Sequence, residues 1–95
     1  MIHVKFEQEG DAVYSRNQAE GAIPNGTCVK KVAGDAADAH PIGALATVLG
    51  SMGPVPDSPA LPGPRRPGPR YGYFVRFDGE GERPMFIADF KIEAP

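Results

Sequence analysis

The chain has 95 residues, of which 12 are Gly and 11 are Pro. Because Gly and Pro interrupt helices and strands, this composition limits residues 1–95 to a single small domain with a modest core. Ten Lys and Arg against twelve Asp and Glu give a net charge of -2. That balance excludes the bulk electrostatic attraction on which non-specific nucleic-acid binding depends.

The cysteine content and the N-terminal sequence favour a cytoplasmic protein. Cys28 is the single cysteine, so no internal disulfide is available, and we expect it to pack as a small apolar residue. Residues 1–7 alternate polar and apolar types and contain no apolar run long enough for a signal core or a membrane span. We therefore expect no contact with a membrane.

Alternation and turn signals predict four strands over residues 2–49. Apolar residues at every second position indicate a strand over 2–7, and the Gly10-Asp11 turn returns the chain as a second strand over 12–15. These two strands form an N-terminal hairpin. The β-branched stretch 27–32 and the apolar stretch 44–49 are typical of two further strands, the second ending in a turn over 50–54.

The composition changes sharply over 54–70. Seven of these seventeen residues are Pro, and Arg65, Arg66 and Arg70 lie in the second half of the segment. Each Pro removes a backbone donor and favours extended polyproline geometry. The segment is therefore predicted to be a long, solvated, Pro/Arg-rich loop with no packed element.

The last third of the chain contains the strongest strand signal. Tyr73, Val75 and Phe77 alternate with Phe74 and Arg76 over 71–77, and a turn over 78–82 follows. A strand over 85–88 and a short turn with an edge strand over 89–93 complete the chain. We predict an all-β fold, a small antiparallel barrel of five or six short strands with an N-terminal hairpin and a long Pro-rich loop.

The stretches 23–32, 43–48, 73–78 and 86–92 together resemble Src-homology-like small barrels of the Tudor and KOW kind. They contain a Gly-x-x-Val entry strand, a Gly-x-x-x-x-Val strand, an aromatic-Val strand and a closing strand in that order. The resemblance implies a binding or scaffolding module without catalysis or cofactor. The long Pro-rich insertion and the N-terminal hairpin depart from a minimal barrel.

Three patterns are candidate catalytic or metal-binding sites. Ser51 lies between Gly50 and Gly53, but Leu49 replaces the first Gly of a nucleophile elbow. Asp35, Asp38 and His40 lie on one loop, and only His3 could add a further imidazole. A site for a divalent ion is therefore poorly supported. Asp78, Glu80, Glu82 and Asp89 have the carboxylate spacing of a calcium-binding EF-hand loop. Such a loop needs Gly at its sixth position for a sharp turn, and Arg83 occupies that position here.

The Pro-rich segment and its neighbours form the favoured binding surface. Pro59 and Pro62, like Pro64 and Pro67, have the PxxP spacing that docks into aromatic grooves, although a simple spacer is the favoured explanation because PxxP is short and common. The arginines, with Lys30 and Lys31, carry the concentrated positive charge of the chain. The predicted partner-binding residues are Arg65, Arg66, Arg70, Tyr71, Tyr73 and Phe74.

We therefore expect a non-catalytic module that binds a protein partner, with no metal and no cofactor. A nucleic-acid-binding barrel is the first alternative, since a basic loop beside aromatics suits a single strand, although the acidic overall balance counts against it. A small hydrolase using Ser51, or a metal-dependent enzyme using the 35–40 loop, is the second.

Overall fold

The computed structural model describes residues 5–34 and 38–95. A hairpin of β1 (Phe6–Glu9) and β2 (Ala12–Ser15) precedes a five-stranded antiparallel sheet in the order β6-β5-β4-β3-β7. The sheet strands are β3 (Cys28–Lys31), β4 (Leu45–Pro56), β5 (Pro69–Phe77), β6 (Met85–Ala88) and β7 (Ile92–Glu93). A 3₁₀ turn (Asp89–Lys91) connects β6 to β7. The sheet curls into a half-barrel whose two edges are β6 and β7.

The predicted all-β class and the N-terminal hairpin are confirmed. The predicted return strand 12–15 and the strand 85–88 have the observed bounds, and the predicted edge strand at the end of the chain is β7. Residues 1–4 of the predicted first strand, with His3, lie outside the described residues, as does Asp35. Within the described ranges, no helix has the length and apolar character needed to cross a bilayer.

The core lies on the concave side of the half-barrel. Alternation along β5 places Tyr73, Val75 and Phe77 on this side, as predicted, and all three are buried. Val48 of β4 is paired with Val75, so the two central strands present their β-branched side chains together. The other members of the cluster come from the remaining strands of the sheet; they are Val29, Ala46, Ile87 and Ile92.

β4 is much longer than the sequence predicts. The turn expected over 50–54 is wrong, because β4 remains paired with β5 as far as Pro56, with irregularities between Val48 and Gly50 and between Met52 and Val55. Cross-strand pairing with β5 overrides the weak strand propensity of Gly and Pro. β4 and β5 therefore form a long ribbon that extends beyond the core.

The N-terminal hairpin packs on the convex side of this ribbon. A Cβ at Gly50 would overlap the carbonyl oxygen of Ser15, so the close approach of β2 requires glycine at this position. Arg76 of β5 donates to both carboxylate oxygens of Glu9, at 2.7 and 2.8 Å. The glycine and the ion pair together fix the hairpin on the sheet.

We predict that Gly50→Ala loosens this hairpin. The added methyl group meets the Ser15 carbonyl, and we expect the melting temperature to fall by about 5–15 °C. Hydrogen exchange followed by NMR should show faster exchange for the amides of β1 and β2 while β5 stays protected. Gly68→Ala is the control for backbone strain alone, because Gly68 has a φ of +92° but open space for a Cβ, and it should leave hairpin exchange unchanged. Unchanged hairpin exchange in Gly50→Ala would contradict the packing.

Candidate functional site

The side chain of Arg70, near the start of β5, organises the candidate site. It is 3% exposed although it carries a positive charge. Its Nη1 donates to Asp57 Oδ1 at 2.7 Å, while its Nη2 donates to the Pro62 carbonyl at 2.8 Å and to Asp89 Oδ1 at 3.0 Å. Its Nε donates to both oxygens of Asp89 at 3.2 Å. We call these four residues the arginine clasp.

Both carboxylates of the clasp favour the ionised form. Burial opposes ionisation of Asp89, but hydrogen bonds from Arg70 and from the Tyr71 N–H outweigh burial and lower its pKa below the ordinary value of 3.8. Burial likewise opposes ionisation of Asp57, and hydrogen bonds from Arg70 and Arg65 again lower the pKa. Charge-assisted hydrogen bonds therefore hold the clasp together at neutral pH.

The clasp corrects the predicted extent of the Pro-rich loop. β4 reaches Pro56 and β5 begins at Pro69, so the loop proper is 57–68 and not 54–70. Arg70 joins Asp57 at the base of the loop, the Pro62 carbonyl in its middle and Asp89 on the 3₁₀ turn. The loop base is consequently a packed element of the fold, whereas the sequence predicts a solvated segment.

The middle of the loop also packs on the 3₁₀ turn. A Cβ at Gly63 would overlap the ring of Phe90, so the loop backbone lies directly against this aromatic side chain. Beyond Gly63, the residues 64–68 are exposed. Arg65 remains half exposed and lies 3.2 Å from Asp57, while the backbone N–H of Arg66 is 3.4 Å from the same carboxylate. The exposed tip therefore presents two arginines at a fixed place.

An apolar groove of about 240 Å³ separates the loop from the β4–β6 strands. The ring of Phe86 lies over Gly72, and a Cβ at Gly72 would overlap this ring. The same ring packs edge-on against Phe74, with 4.9 Å between the two ring centroids. Phe86 is 56% exposed and Val55 is 44% exposed. The main lining residues of the apolar groove are Met52, Val55, Leu61, Pro62, Tyr71 and Phe86.

A second cleft, of about 280 Å³, opens on the concave side of β6, and we call it the lysine cleft. The buried Lys31 donates to Asp38 Oδ2 at 2.8 Å and to the His40 carbonyl at 2.6 Å, and Lys91 Nζ lies 3.7 Å from the same Asp38 oxygen. Its main lining residues are Lys31, Asp38, His40, Met85, Ile87 and Lys91.

His40 forms the rim of the lysine cleft nearest to Met85. Its ring stacks on Phe77 with 3.9 Å between centroids, and its Nε2 lies 2.9 Å from Glu82 Oε2. Stacking on a core aromatic and contact with a carboxylate give this histidine a structural role in attaching the 38–42 loop to the sheet.

The structure separates the six predicted partner-binding residues into two groups. Arg70 and Tyr73 are buried; Arg70 borders the apolar groove, and the Tyr73 hydroxyl accepts a hydrogen bond from the Ile23 N–H at 3.0 Å. Tyr71 lines the apolar groove, and Phe74 is half-buried beneath Phe86. The remaining two residues, Arg65 and Arg66, are exposed on the loop tip.

The residues weighed for basic charge and for reactivity also occupy defined places. Lys31 is buried in an ion pair and does not join an exposed basic patch, whereas Lys30 is exposed. Ser51 is fully buried within β4, and its hydroxyl accepts a hydrogen bond from the Ala19 N–H at 2.9 Å. Its position in a paired strand is unlike a nucleophile elbow. Cys28 is exposed, in contrast to the packed position expected for it.

The acidic patterns of the sequence are divided among ion pairs. Glu82 contacts His40, Asp89 contacts Arg70, and Asp38 contacts Lys31. Within 5–34 and 38–95, no three His, Cys, Asp or Glu side chains converge as metal ligands would. The calcium-loop spacing from Asp78 to Asp89 therefore does not correspond to a shared site in the described structure.

Sequence reasoning missed the groove residues Met52, Val55, Leu61 and Phe86. The exposed position of Phe86 is predictable, because alternation along β6 places Phe86 on the face opposite Ile87. Met52 and Val55 are not predicted as groove residues, because the sequence places Met52 in a turn and Val55 in a loop and not in a strand. Leu61 gave no signal, since its position depends on the clasp.

Comparison of the chain with protein-family models, with curated proteins and with solved structures gave no match.

We predict that Arg70→Met opens the loop. The substitution removes the shared donor and leaves Asp89 partly buried without its cation, so we expect the melting temperature to fall on the order of 10 °C. Arg65→Met is the matched control, because Arg65 contacts the same Asp57 from an exposed position and should change the temperature little. Equal melting temperatures for the two variants would contradict the central role of the clasp.

We also predict an acid-dependent loss of stability. The lowered pKa of Asp89 means that its contribution is present above the unfolded-state pKa and is lost as pH falls through the lower folded-state value. Thermal unfolding of the wild type and Asp89→Asn, from about pH 6 to about pH 2, should show a stability difference that shrinks towards acid pH. Parallel curves for the two proteins would refute this assignment.

Proposed function

We propose that this domain is a non-catalytic module that binds a protein partner through the apolar groove. The observation that carries the proposal is the exposed ring of Phe86 over Gly72, facing a wall made by the clasped loop. Aromatic anchors in preformed concave sites supply much of the binding energy at protein interfaces. A loop held by buried ion pairs loses little further entropy when a partner binds.

The charges at the rim support a protein partner with acidic residues beside its apolar contact. Arg65 and Arg66 are exposed on the loop tip, and Lys91 lies on the neighbouring 3₁₀ turn. Arg65 and Arg66 are held at Asp57 of the clasp and Lys91 lines the neighbouring lysine cleft, although the whole chain has a net charge of -2. Complementary charge at a rim guides association and orients the partner.

The small-barrel resemblance supports the same proposal. The last strand, β7, pairs with the entry strand β3, as a closing strand does in such a barrel, and β4 to β6 follow as a meander. Barrels of this kind usually serve binding or scaffolding roles. The buried, hydrogen-bonded position of Ser51 also favours a binding role over the hydrolase alternative.

A site-specific crosslinking experiment tests this proposal. A photoreactive amino acid replaces Val55 in the groove or, as the control, Val13 on the hairpin, which is similarly exposed. We expect a partner protein to crosslink from position 55 and not from position 13. With the purified partner, Val55→Ser should weaken binding about tenfold, because an apolar contact is lost, whereas Val13→Ser should not. Equal crosslinking from both positions, or equal affinity of both variants, would overturn the proposal.

A further inference from the structure

β6 is an edge strand that borders both sites: all four of its residues line the lysine cleft, and Phe86 and Ala88 also line the apolar groove. The sheet order places β5 on one side of β6 and, in the described part of the chain, no strand on the other. Unpaired N–H and C=O groups along such an edge can accept an additional strand. An extended peptide pairing there would gain main-chain hydrogen bonds, and pockets for alternate side chains would give specificity.

The apolar groove follows the alternation of β6, whereas the lysine cleft extends along all four residues of the strand. Met85 and Ile87 line the lysine cleft but not the apolar groove, whereas Phe86 and Ala88 also line the apolar groove. Successive side chains of an added strand point to opposite faces of the sheet. One set would therefore meet Phe86 and the groove, and the other set would meet the lysine cleft.

The charge around β6 is unequal at its two ends. The clasp, the loop tip and the lysine cleft together carry five described cationic side chains and three carboxylates; they are Arg65, Arg66, Arg70, Lys31 and Lys91 with Asp57, Asp89 and Asp38. Around the clasp, Arg65, Arg66 and Arg70 face only two carboxylates, Asp57 and Asp89, and Asp89 directly follows Ala88. Glu82, with its partner His40, lies towards the Met85 end.

We propose that an extended apolar segment of the partner protein, with acidic residues at its N-terminal end, adds to β6 as an antiparallel sixth strand. This inference rests on the proposed function and names the chemistry of its partner. Antiparallel pairing brings the N-terminal end of the segment to Ala88, beside Lys91 and Arg66. One row of apolar side chains then packs on Phe86 in the apolar groove.

An NMR titration with synthetic peptides tests strand addition. The probe is an eight-residue peptide of two Glu followed by alternating Leu and Thr, added to the full chain labelled with ¹⁵N. We expect the amide signals of β6 to shift on binding. Two further peptides carry N-methyl groups at alternate positions, either on one edge or on the other. Methylation of the edge that faces β6 should weaken binding tenfold or more, and methylation of the opposite edge should not.

Two protein variants test the orientation. Lys91→Gln should weaken binding of the Glu-containing peptide about threefold to tenfold at low salt, and the matched control Lys30→Gln, on the opposite side of the sheet, should not. A peptide with the two Glu at its C-terminal end should bind more weakly than the original. Equal affinity for both peptide directions would overturn the stated orientation.

The outcomes separate this inference from the proposed function. Binding that Val55→Ser weakens but that neither methylation pattern changes would overturn strand addition and leave the groove as a binding site. Absence of binding at about 1 mM peptide would also overturn strand addition. In both cases the crosslinking from position 55 decides the proposed function independently.

Discussion

The rest of the structure around the site depends on one buried guanidinium group. Arg70 is placed below the surface by the β4–β5 ribbon, and a charge in that position is stable only when every donor finds an acceptor. Asp57, Asp89 and the Pro62 carbonyl provide those acceptors. Satisfying one arginine therefore fixes the base of the loop, its middle and the 3₁₀ turn relative to each other.

This arrangement solves a problem that the composition creates. A segment with so many prolines has few N–H groups with which to hold itself against a sheet. The guanidinium of Arg70 supplies hydrogen bonds from the other side, with Nη1 donating to Asp57 and Nη2 donating to the Pro62 carbonyl. Phe90 then completes the contact by lying against Gly63. The wall of the apolar groove is thus ordered by a side chain that the groove's occupant never needs to reach.

The sequence predicts the elements that depend on local pattern. Strict alternation places Tyr73, Val75 and Phe77 in the core, and the Gly10-Asp11 turn sets the hairpin. The continuation of β4 past Gly50 is not predicted, because pairing with β5 decides it and local propensity does not. The buried position of Arg70 is also not predicted. Its carboxylate partners lie 13 and 19 residues away along the chain, and only the folded sheet brings them together.

The separation between a fixed loop base and an exposed tip has a consequence for the evolution and engineering of this domain. Pro67 and Gly68 are exposed and lie beyond the contacts that Arg65 and Arg66 make with Asp57, and a Cβ at Gly68 would meet open space. Chain length in such a tip can change at small entropic cost, since closing a longer surface loop adds little. Foreign sequence inserted there would be displayed beside the groove without disturbing the ionic anchor beneath it, so the tip offers a place where recognition can diversify while the scaffold stays constant.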